Sequence, residues 1–158
     1  METQPVVHNT FTLERTYAAS PERVFAAFAD PAKKRRWFAE GEHHTLESYD
    51  LDFRDGGTEH YSSRFHEGTP VAGKTLTNES SFQNIVPNRR IVFTSTMWVG
   101  GQCISISVGT VELEPEGHGT KLHLTFQSAF LEGADGPAMR EAGWNTLLNK
   151  LGVELERE

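Results

Sequence analysis

The stretch that decides the fold runs from Gly136 to Leu155 and reads GPAMREAGWNTLLNKLGVEL. Pro137 suits the first turn of a helix, because the N–H that it lacks would have no partner there. The apolar residues that follow recur at steps of three and four: Trp144, Leu147, Leu148, Leu151 and Leu155. The polar residues, Arg140 and Glu154 among them, fall elsewhere on the helix. This spacing predicts a helix of roughly five turns, whose broad apolar face must pack on another element.

The sequence before this helix predicts a β-sheet, on which the helix would pack. Alternation of apolar and polar residues begins at Thr10, and it returns in several later segments. Asp55-Gly56-Gly57 is a strong hairpin turn, and the strand after it places Glu59, Tyr61, Ser63 and Phe65 in one phase. The predicted order is one strand, two short helices, about six antiparallel strands and one long helix, which indicates an α+β fold. We expect one domain over residues 10–156, preceded by a flexible N-terminus at residues 1–9.

The two short helices have clear start signals. Ser20 is a good N-cap and Pro21 takes the first helical position. Asp30-Pro31 then interrupts the first helix, and a second one follows through Lys33–Trp37. The four cations from Lys33 to Arg36 could meet a phosphate, but a solvated helix surface is the interpretation we favour.

One later strand contains two apolar sets of opposite phase. They are Ile104, Ile106 and Val108 in one phase, and Val111 and Leu113 in the other. Gly109 lies between the sets, so we predict a β-bulge there that lets both sets face inward.

Composition and charge exclude several classes of function. The formal net charge of −7 argues against a nucleic-acid partner and gives no reason for binding an anionic membrane. No run approaches the ~18 apolar residues of a membrane span, and residues 1–9 do not resemble a signal peptide. Cys103 is the single cysteine, so an intrachain disulfide is excluded. A cytoplasmic protein without stable membrane association is the simplest expectation.

Several stretches together resemble a known family. They are Asp50–Gly57 (DLDFRDGG), Phe82–Thr94 (FQNIVPNRRIVFT), Val111–Leu122 (VELEPEGHGTKL), Gly143-Trp144, and Ser20–Phe25 (SPERVF) with Trp37. In their order and spacing they are similar to the SRPBCC superfamily, in the branch named for homology to the activator of the 90-kDa heat-shock chaperone's ATPase. The resemblance covers residues 10–155.

The resemblance implies a fold more firmly than a function. Members have the helix-grip fold, in which a curved antiparallel sheet, here of six to seven strands, wraps around a C-terminal helix and encloses a hydrophobic cavity. Some relatives are cyclases or other enzymes, and others carry lipids or hormones. The eukaryotic activator has an additional N-terminal chaperone-binding domain, and we expect no such domain here. Active sites differ between branches, so the resemblance supplies no catalytic residue.

The residues themselves contain few catalytic signals. The seven histidines show no metal-ligand spacing, and phosphate-binding and nucleophile motifs are not found, so we expect neither a metal nor a cofactor. Cys103 is better read as a small residue beside a turn than as a nucleophile. Glu79 and Arg64 lie on polar strands, where a buried carboxylate could act as a general base. Strand parity could equally place either side chain on the outer face.

Aromatic and apolar residues from most elements converge on the predicted space between sheet and helix. The candidate ligand-binding residues are Trp37, Phe53, Tyr61, Phe82, Phe93, Met97, Trp98, Trp144 and Leu148. Core packing would explain each of them alone, but natural ligand sites are apolar with a few polar anchors. We therefore expect a protein that binds a small hydrophobic or aromatic molecule. A cyclase-like or hydrolase-like enzyme using the same cavity, a module that stimulates a chaperone ATPase, and a homodimer stay open.

Overall fold

The computed structural model of the protein describes residues 4–68 and 70–157. These residues form one antiparallel sheet, whose strands are β1 (Val7–Tyr17), β2 (His44–Leu51), β3 (Thr58–Phe65), β4 (Thr75–Val86), β5 (Arg90–Val99), β6 (Gln102–Glu116) and β7 (Gly119–Phe130). The strand order is β1-β7-β6-β5-β4-β3-β2. Strands β2 to β7 therefore follow one another as hairpins, and β1 joins the sheet beside the last strand.

Helices cover one face of this sheet. Their bounds are α1 (Pro21–Ala29), α2 (Pro31–Lys34), which continues into a π-helical turn (Arg35–Ala39), and α3 (Pro137–Leu155). The predicted cap of α1 is confirmed, because the Ser20 side chain accepts a hydrogen bond from the Arg23 amide and Pro21 opens the helix. Asp30 caps α2 in the same way, through the amides of Ala32 and Lys33.

The core lies between α3 and the inner face of the sheet. Trp144, Leu148 and Leu151 of α3 are buried there with side chains from α1 and from β1 and β4 to β7. This arrangement is the predicted α+β helix-grip fold. The first strand begins at Val7 and pairs Val7 with Phe130, three residues before the expected start at Thr10.

The predicted bulge at Gly109 was wrong. Gly109 pairs in regular register with Phe93 and Phe126, while the register shift between β5 and β6 falls at Met97 and Trp98. Ile106 and Val108 are consequently exposed on the outer face of the sheet. Gly109 is needed for another reason, because a Cβ there would lie 2.2 Å from Cζ of Phe93, whose ring packs on this position.

Helix α3 buries two charged residues that its apolar spacing did not single out. Arg140 and Glu154 are buried together with Trp144, Leu148 and Leu151. Arg140 precedes Trp144 by four residues, so it extends the same face toward the start of the helix. Each buried charge has an ionic partner, Asp135 for Arg140 and Arg36 for Glu154, which makes burial tolerable.

Candidate functional site

Two rows of residues on the inner face differ from the rest of the core because they are mostly polar. The rows, given from β3 to β7, are Glu59, Ser80, Ser95, Ser107 and Ser128, and then Tyr61, Asn78, Met97, Ser105 and Phe130. We call their polar members, which exclude Met97 and Phe130, the polar band. The next row along the strands contains Phe82, Phe93 and Phe126 and begins the apolar end of the grip.

Trp144 of α3 marks the boundary between the two ends. Its indole ring lies 5.3 Å from the ring of Phe126 and 6.4 Å from that of Phe93, measured between centroids. Arg140, one helical turn earlier, lies over the polar band and bonds to Ser105. Leu148 and Leu151, later in the helix, lie in the apolar core.

The space that remains between sheet and helices is small. An internal cavity of about 10 Å³ is lined by Phe28, Lys34, Phe38, Glu59, Phe82, Ile91, Phe93 and Trp144. A single water molecule needs roughly 10–15 Å³, and ligand pockets usually reach roughly 300–1,000 Å³. In this conformation, the expected cavity for a hydrophobic ligand is therefore not confirmed.

A wider depression lies at the outer surface. It has a volume of about 390 Å³, is open to solvent, and is lined by Arg89, Arg90, Glu112, Leu113, Glu114 and His123. Its walls carry charges of both signs, and none of the residues that line it belongs to the polar band or to the wall of the internal cavity.

A buried ion pair forms part of the wall of the internal cavity. Lys34 is 5% exposed and Glu59 is 4% exposed, and Lys34 Nζ lies 3.0 Å from Glu59 Oε1. The Tyr49 hydroxyl donates a 2.6 Å hydrogen bond to the other carboxylate oxygen, Glu59 Oε2. Burial, the nearby Glu59 charge and this bond all raise the pKa of Tyr49, so the phenol stays a donor.

The π-helical turn brings aromatic rings around the lysine. Lys34 Nζ lies 4.3 Å from the ring centroid of Phe38, and the rings of Phe28 and Trp37 are 5.6 Å away. Trp37 is itself fixed by a 2.8 Å bond from its indole N–H to the Ala27 carbonyl. Lys34, the residue just before the turn, therefore lies among the rings of Phe28, Trp37 and Phe38, which we call the aromatic chamber. Such π-helical turns are frequent at functional sites.

A second cation is buried at the opposite side of the polar band. Arg140 Nη2 donates to Asp135 Oδ1 at 2.7 Å and to Ser105 Oγ at 3.0 Å, and Nε donates to Asp135 Oδ2 at 2.9 Å. The guanidinium also lies 5.1 Å from the centroid of the Phe130 ring.

Between the two cations lies Tyr61, which is almost completely buried. The pKa of Tyr61 is raised to about 12, chiefly by burial. The Glu59 charge also raises this pKa, whereas a hydrogen bond from the Asn78 side chain and the Arg140 charge lower it. The Tyr61 ring also packs edge-on against Phe38, with centroids 5.7 Å apart. Tyr61 therefore connects the aromatic chamber to the polar band.

The C-terminal half of α3 is attached to the rest of the fold by several polar links. Arg36 binds Glu154 through two bonds of 2.8 and 2.6 Å, and the Tyr17 hydroxyl donates to the Leu148 carbonyl at 2.7 Å. Lys150 donates to the Glu40 carbonyl, and Arg23 donates to that of Leu155. The bond from Arg36, and to a smaller extent its charge, lower the pKa of Glu154 despite burial.

The candidate residues from the sequence fall into three groups. Phe82, Phe93 and Trp144 line the internal cavity. Trp37, Phe53, Tyr61, Met97 and Leu148 lie around it without lining it, as members of the core cluster or of the inner rows. Trp98 follows Met97 and pairs with Thr77 of β4, so strand alternation places it on the outer face.

Sequence reasoning missed the two charged residues of the cavity. Lys34 was assigned to a solvated basic run, but it is buried, while Lys33 and Arg35 are not. Glu59 shares its strand phase with Tyr61, and this signal could have identified it as an inward carboxylate. The alternatives weighed instead, Glu79 and Arg64, are exposed.

In residues 4–68 and 70–157, no cluster of three His, Cys, Asp or Glu side chains is arranged to hold a metal ion. Within the same residues, none of the helices combines the length and the apolar character that crossing a membrane requires.

Solved structures with the same architecture come from several bacteria. A protein from Rhizobium leguminosarum is 36% identical, with a TM-score of 0.90 and 98% of each chain covered. A protein from Rhizobium loti is 46% identical, with a TM-score of 0.83 and coverage of 96% of this chain and 99% of that chain. An AHSA1-like protein from Aeromonas hydrophila, at 20% identity and a TM-score of 0.67, covers 94% of this chain and 92% of its own and shares the fold.

Family membership follows from the sequence as well. No curated protein matches the chain. A family model described as "Activator of Hsp90 ATPase homolog 1-like protein" matches residues 18–156, in agreement with the resemblance seen in the sequence. The chain belongs to this family of Activator of Hsp90 ATPase homolog 1-like proteins, within the SRPBCC superfamily.

Proposed function

We propose that this protein binds a small molecule with a hydrophobic or aromatic body between the inner face of the sheet and α3. The body would lie against Phe38, Phe93 and Trp144, and the polar part of the molecule would face the polar band. Ligand sites in proteins commonly combine apolar walls with a few placed polar groups, and this interior has both.

The observation that carries the proposal is the buried pair of Lys34 and Glu59. Removing two charges from water costs several kcal/mol per ion, and well-packed apolar residues of similar volume are often equally stable or more stable. The pair is therefore a poor choice for stability alone. Its position on the wall of the internal cavity, among the rings of Phe28, Phe38 and Trp144, suits a polar anchor for a bound molecule.

Binding would require the grip to open, because about 10 Å³ cannot hold an organic molecule. The N-terminal half of α3 is the part best suited to move. Two side-chain bonds join this half to the sheet, one from Arg140 to Ser105 and one from Arg15 to Asn145. The C-terminal half has more links to the rest of the fold, from Tyr17, Arg23, Arg36 and Lys150. Met97 is only half-buried and Met139 is exposed, and both are flexible side chains that could form part of an enlarged pocket.

A thermal-shift titration with 2-naphthol tests the proposal. At a hundredfold excess over its dissociation constant, a ligand stabilises the folded state by about 2.7 kcal/mol, which raises Tm. Ser95→Phe would place a ring on the inner face within the polar band and should abolish the shift. Thr94→Phe is the matched control, because it places the same ring one residue earlier, on the opposite face, and should keep the shift.

Two results would overturn this proposal. One is the absence of any shift for the natural sequence with 2-naphthol. The other is an equal shift in the two phenylalanine variants, which would place the probe outside the grip.

An enzyme is the second candidate, and the same ion pair favours it. Two ionisable groups, Lys34 and Glu59, line one cavity, which is the minimum for acid–base chemistry, and the Tyr49 phenol bonds to Glu59. Glu59 could take a proton from the carbon beside a carbonyl group, while the Lys34 ammonium stabilises the enolate oxygen that receives the electron pair. Return of a deuteron from solvent would complete the exchange.

This activity has a direct assay. Incubation of 2-tetralone with the protein in D2O, followed by NMR, should show exchange of the protons beside the carbonyl faster than in buffer. Glu59→Gln should remove the acceleration, and Glu79→Gln, on the exposed side of β4, should retain it. A rate equal to that of buffer for the natural sequence would rule out this candidate reaction.

A further inference from the structure

The polar band contains a hydrogen-bond acceptor that has no partner. The Asn78 side chain is 7% exposed, and its oxygen Oδ1 has no hydrogen-bond partner in the structure. Its neighbours in the band differ in this respect, because the hydroxyls of Ser107 and Ser128 bond to each other at 2.8 Å and Ser105 accepts from Arg140. A buried polar atom without a partner carries its full desolvation cost, so a donor is missing at this point.

The direction of Asn78 is fixed by the strands on both sides. It is paired with Tyr61 of β3 and with Met97 of β5, and all three belong to the inner face. The unsatisfied oxygen therefore belongs to the face that the proposed ligand would contact, between the aromatic chamber at Tyr61 and the guanidinium of Arg140.

Both buried cations are already neutralised by carboxylates. Lys34 pairs with Glu59, and Arg140 binds Asp135 through two hydrogen bonds. A bound anion would have to displace one of these carboxylates or remain without a counter-charge in a buried site, and either is costly. The interior thus offers hydrogen bonds without net positive charge.

We infer that Asn78 is a specificity-determining residue and that the ligand is a neutral molecule whose polar end donates a hydrogen bond to Asn78 Oδ1. A hydroxyl, a phenol or an N–H group meets this requirement, whereas a carboxylate or a phosphate does not. The inference rests on the proposed binding of a ligand in the grip, and it adds the chemical class of the group that the polar band recognises.

The test compares three probes with one ring system. They are naphthalene, which has no polar group, 2-naphthol, which is neutral at pH 7 and donates one hydrogen bond, and 2-naphthoate, which is an anion. Titrations followed by NMR of the tryptophan indole N–H signals give an affinity for each. For the natural sequence, 2-naphthol should bind about tenfold more tightly than naphthalene, and 2-naphthoate should bind most weakly.

Asn78→Leu removes the acceptor while keeping a side chain of similar size. In this variant, the preference for 2-naphthol over naphthalene should disappear. Tm without ligand should change little, because removal of the unpaired oxygen offsets the loss of the hydrogen bond to Tyr61. Gln83→Leu is the matched control, since it makes the same kind of change at an exposed position of β4 and should keep the preference. A fall in Tm with an unchanged preference would assign Asn78 a structural role and overturn the inference.

The remaining outcomes separate this inference from the proposed function. Equal binding of naphthalene and 2-naphthol to the natural sequence, or tightest binding of 2-naphthoate, overturns the inference and leaves ligand binding in the grip intact. Equal affinities for naphthalene and 2-naphthol would mean that a buried water molecule donates the missing hydrogen bond to Asn78 Oδ1. Failure of all three probes to bind overturns both.

Discussion

The two halves of α3 lie over opposite environments. The C-terminal half, from Leu147 onward, packs on the apolar end of the grip and is linked to α1, β1 and the π-helical turn. The N-terminal half lies over the polar band, where Arg140 bonds to Ser105. One helix thus closes the fold at one end and covers buried polar groups at the other. The difference suggests that stability and ligand recognition are carried by separate residues.

The largest expected effect concerns the free-energy cost of burying the ion pair of Lys34 and Glu59 at the polar end of the grip. Glu59→Leu leaves Lys34 buried without its counter-charge, and we expect a loss of about 3–5 kcal/mol in the free energy of unfolding, measured in urea. The double variant Lys34→Met, Glu59→Leu should recover most of this loss, because it removes both charges. A loss below about 1 kcal/mol in the single variant would mean that the pair is not desolvated as the structure indicates.

The next largest effect concerns how much the packing of α3 at the apolar end of the grip stabilises the fold. Leu148→Ala should lower the free energy of unfolding by about 3 kcal/mol, because Leu148 is 1% exposed and its removal leaves a cavity. Affinity for 2-naphthol, once measured on the folded protein, should change little. The control is Val153→Ala on the same helix, which is 63% exposed and should stay within about 0.5 kcal/mol. Equal losses in the two variants would contradict the packing described for α3.

A pH effect should distinguish the link at the C-terminal end. Arg36 lowers the pKa of Glu154, so the unfolded chain binds a proton at this site more readily than the folded protein does. The stabilisation is therefore present above the unfolded pKa of about 4.3 and is lost as pH falls through the lower folded pKa. Tm of the natural sequence should fall more steeply between about pH 5 and pH 3 than Tm of Glu154→Gln.

The control for this comparison is Glu141→Gln, a change at an exposed position of the same helix, which should keep the steeper profile. Parallel profiles for the natural sequence and Glu154→Gln would show that the pair with Arg36 does not stabilise α3.

The smallest effect concerns the polar band itself. Asn78→Leu should change the free energy of unfolding by less than about 1 kcal/mol, since removal of the unpaired oxygen offsets the loss of the hydrogen bond to Tyr61. Denaturant unfolding measures this directly. A loss of about 2 kcal/mol or more would indicate that Asn78 supports the fold, and the division between the two halves of α3 would then be weaker.

Periodicity was sufficient to predict the architecture. The stripe from Trp144 to Leu155, the cap at Ser20-Pro21 and the hairpin turn at Asp55-Gly56-Gly57 each depend on neighbours in sequence, so local rules apply. The result is a helix-grip of seven strands, as the family resemblance also implied.

The candidate site was predicted only in part, because its polar contacts join distant residues. Lys34 meets Glu59 across 25 positions, and Arg140 meets Ser105 across 35. The spacing of apolar residues does not identify either pair of partners. The run of four cations from Lys33 to Arg36 had instead led to the interpretation of Lys34 as part of a solvated surface. The volume of the internal cavity could not be predicted from the sequence either. It depends on how closely the rings of Phe38 and Trp144 pack, and their centroids are 6.0 Å apart.

Amide hydrogen exchange along α3, with and without 2-naphthol, tests the central claim most directly. If the N-terminal half opens to admit a ligand, the amides from Glu141 to Asn145 should exchange faster than those from Leu148 to Leu151. Addition of 2-naphthol should then slow the first group and leave the second unchanged. Equal protection of both groups, unaltered by the probe, would contradict the claim that a ligand enters beneath the start of this helix.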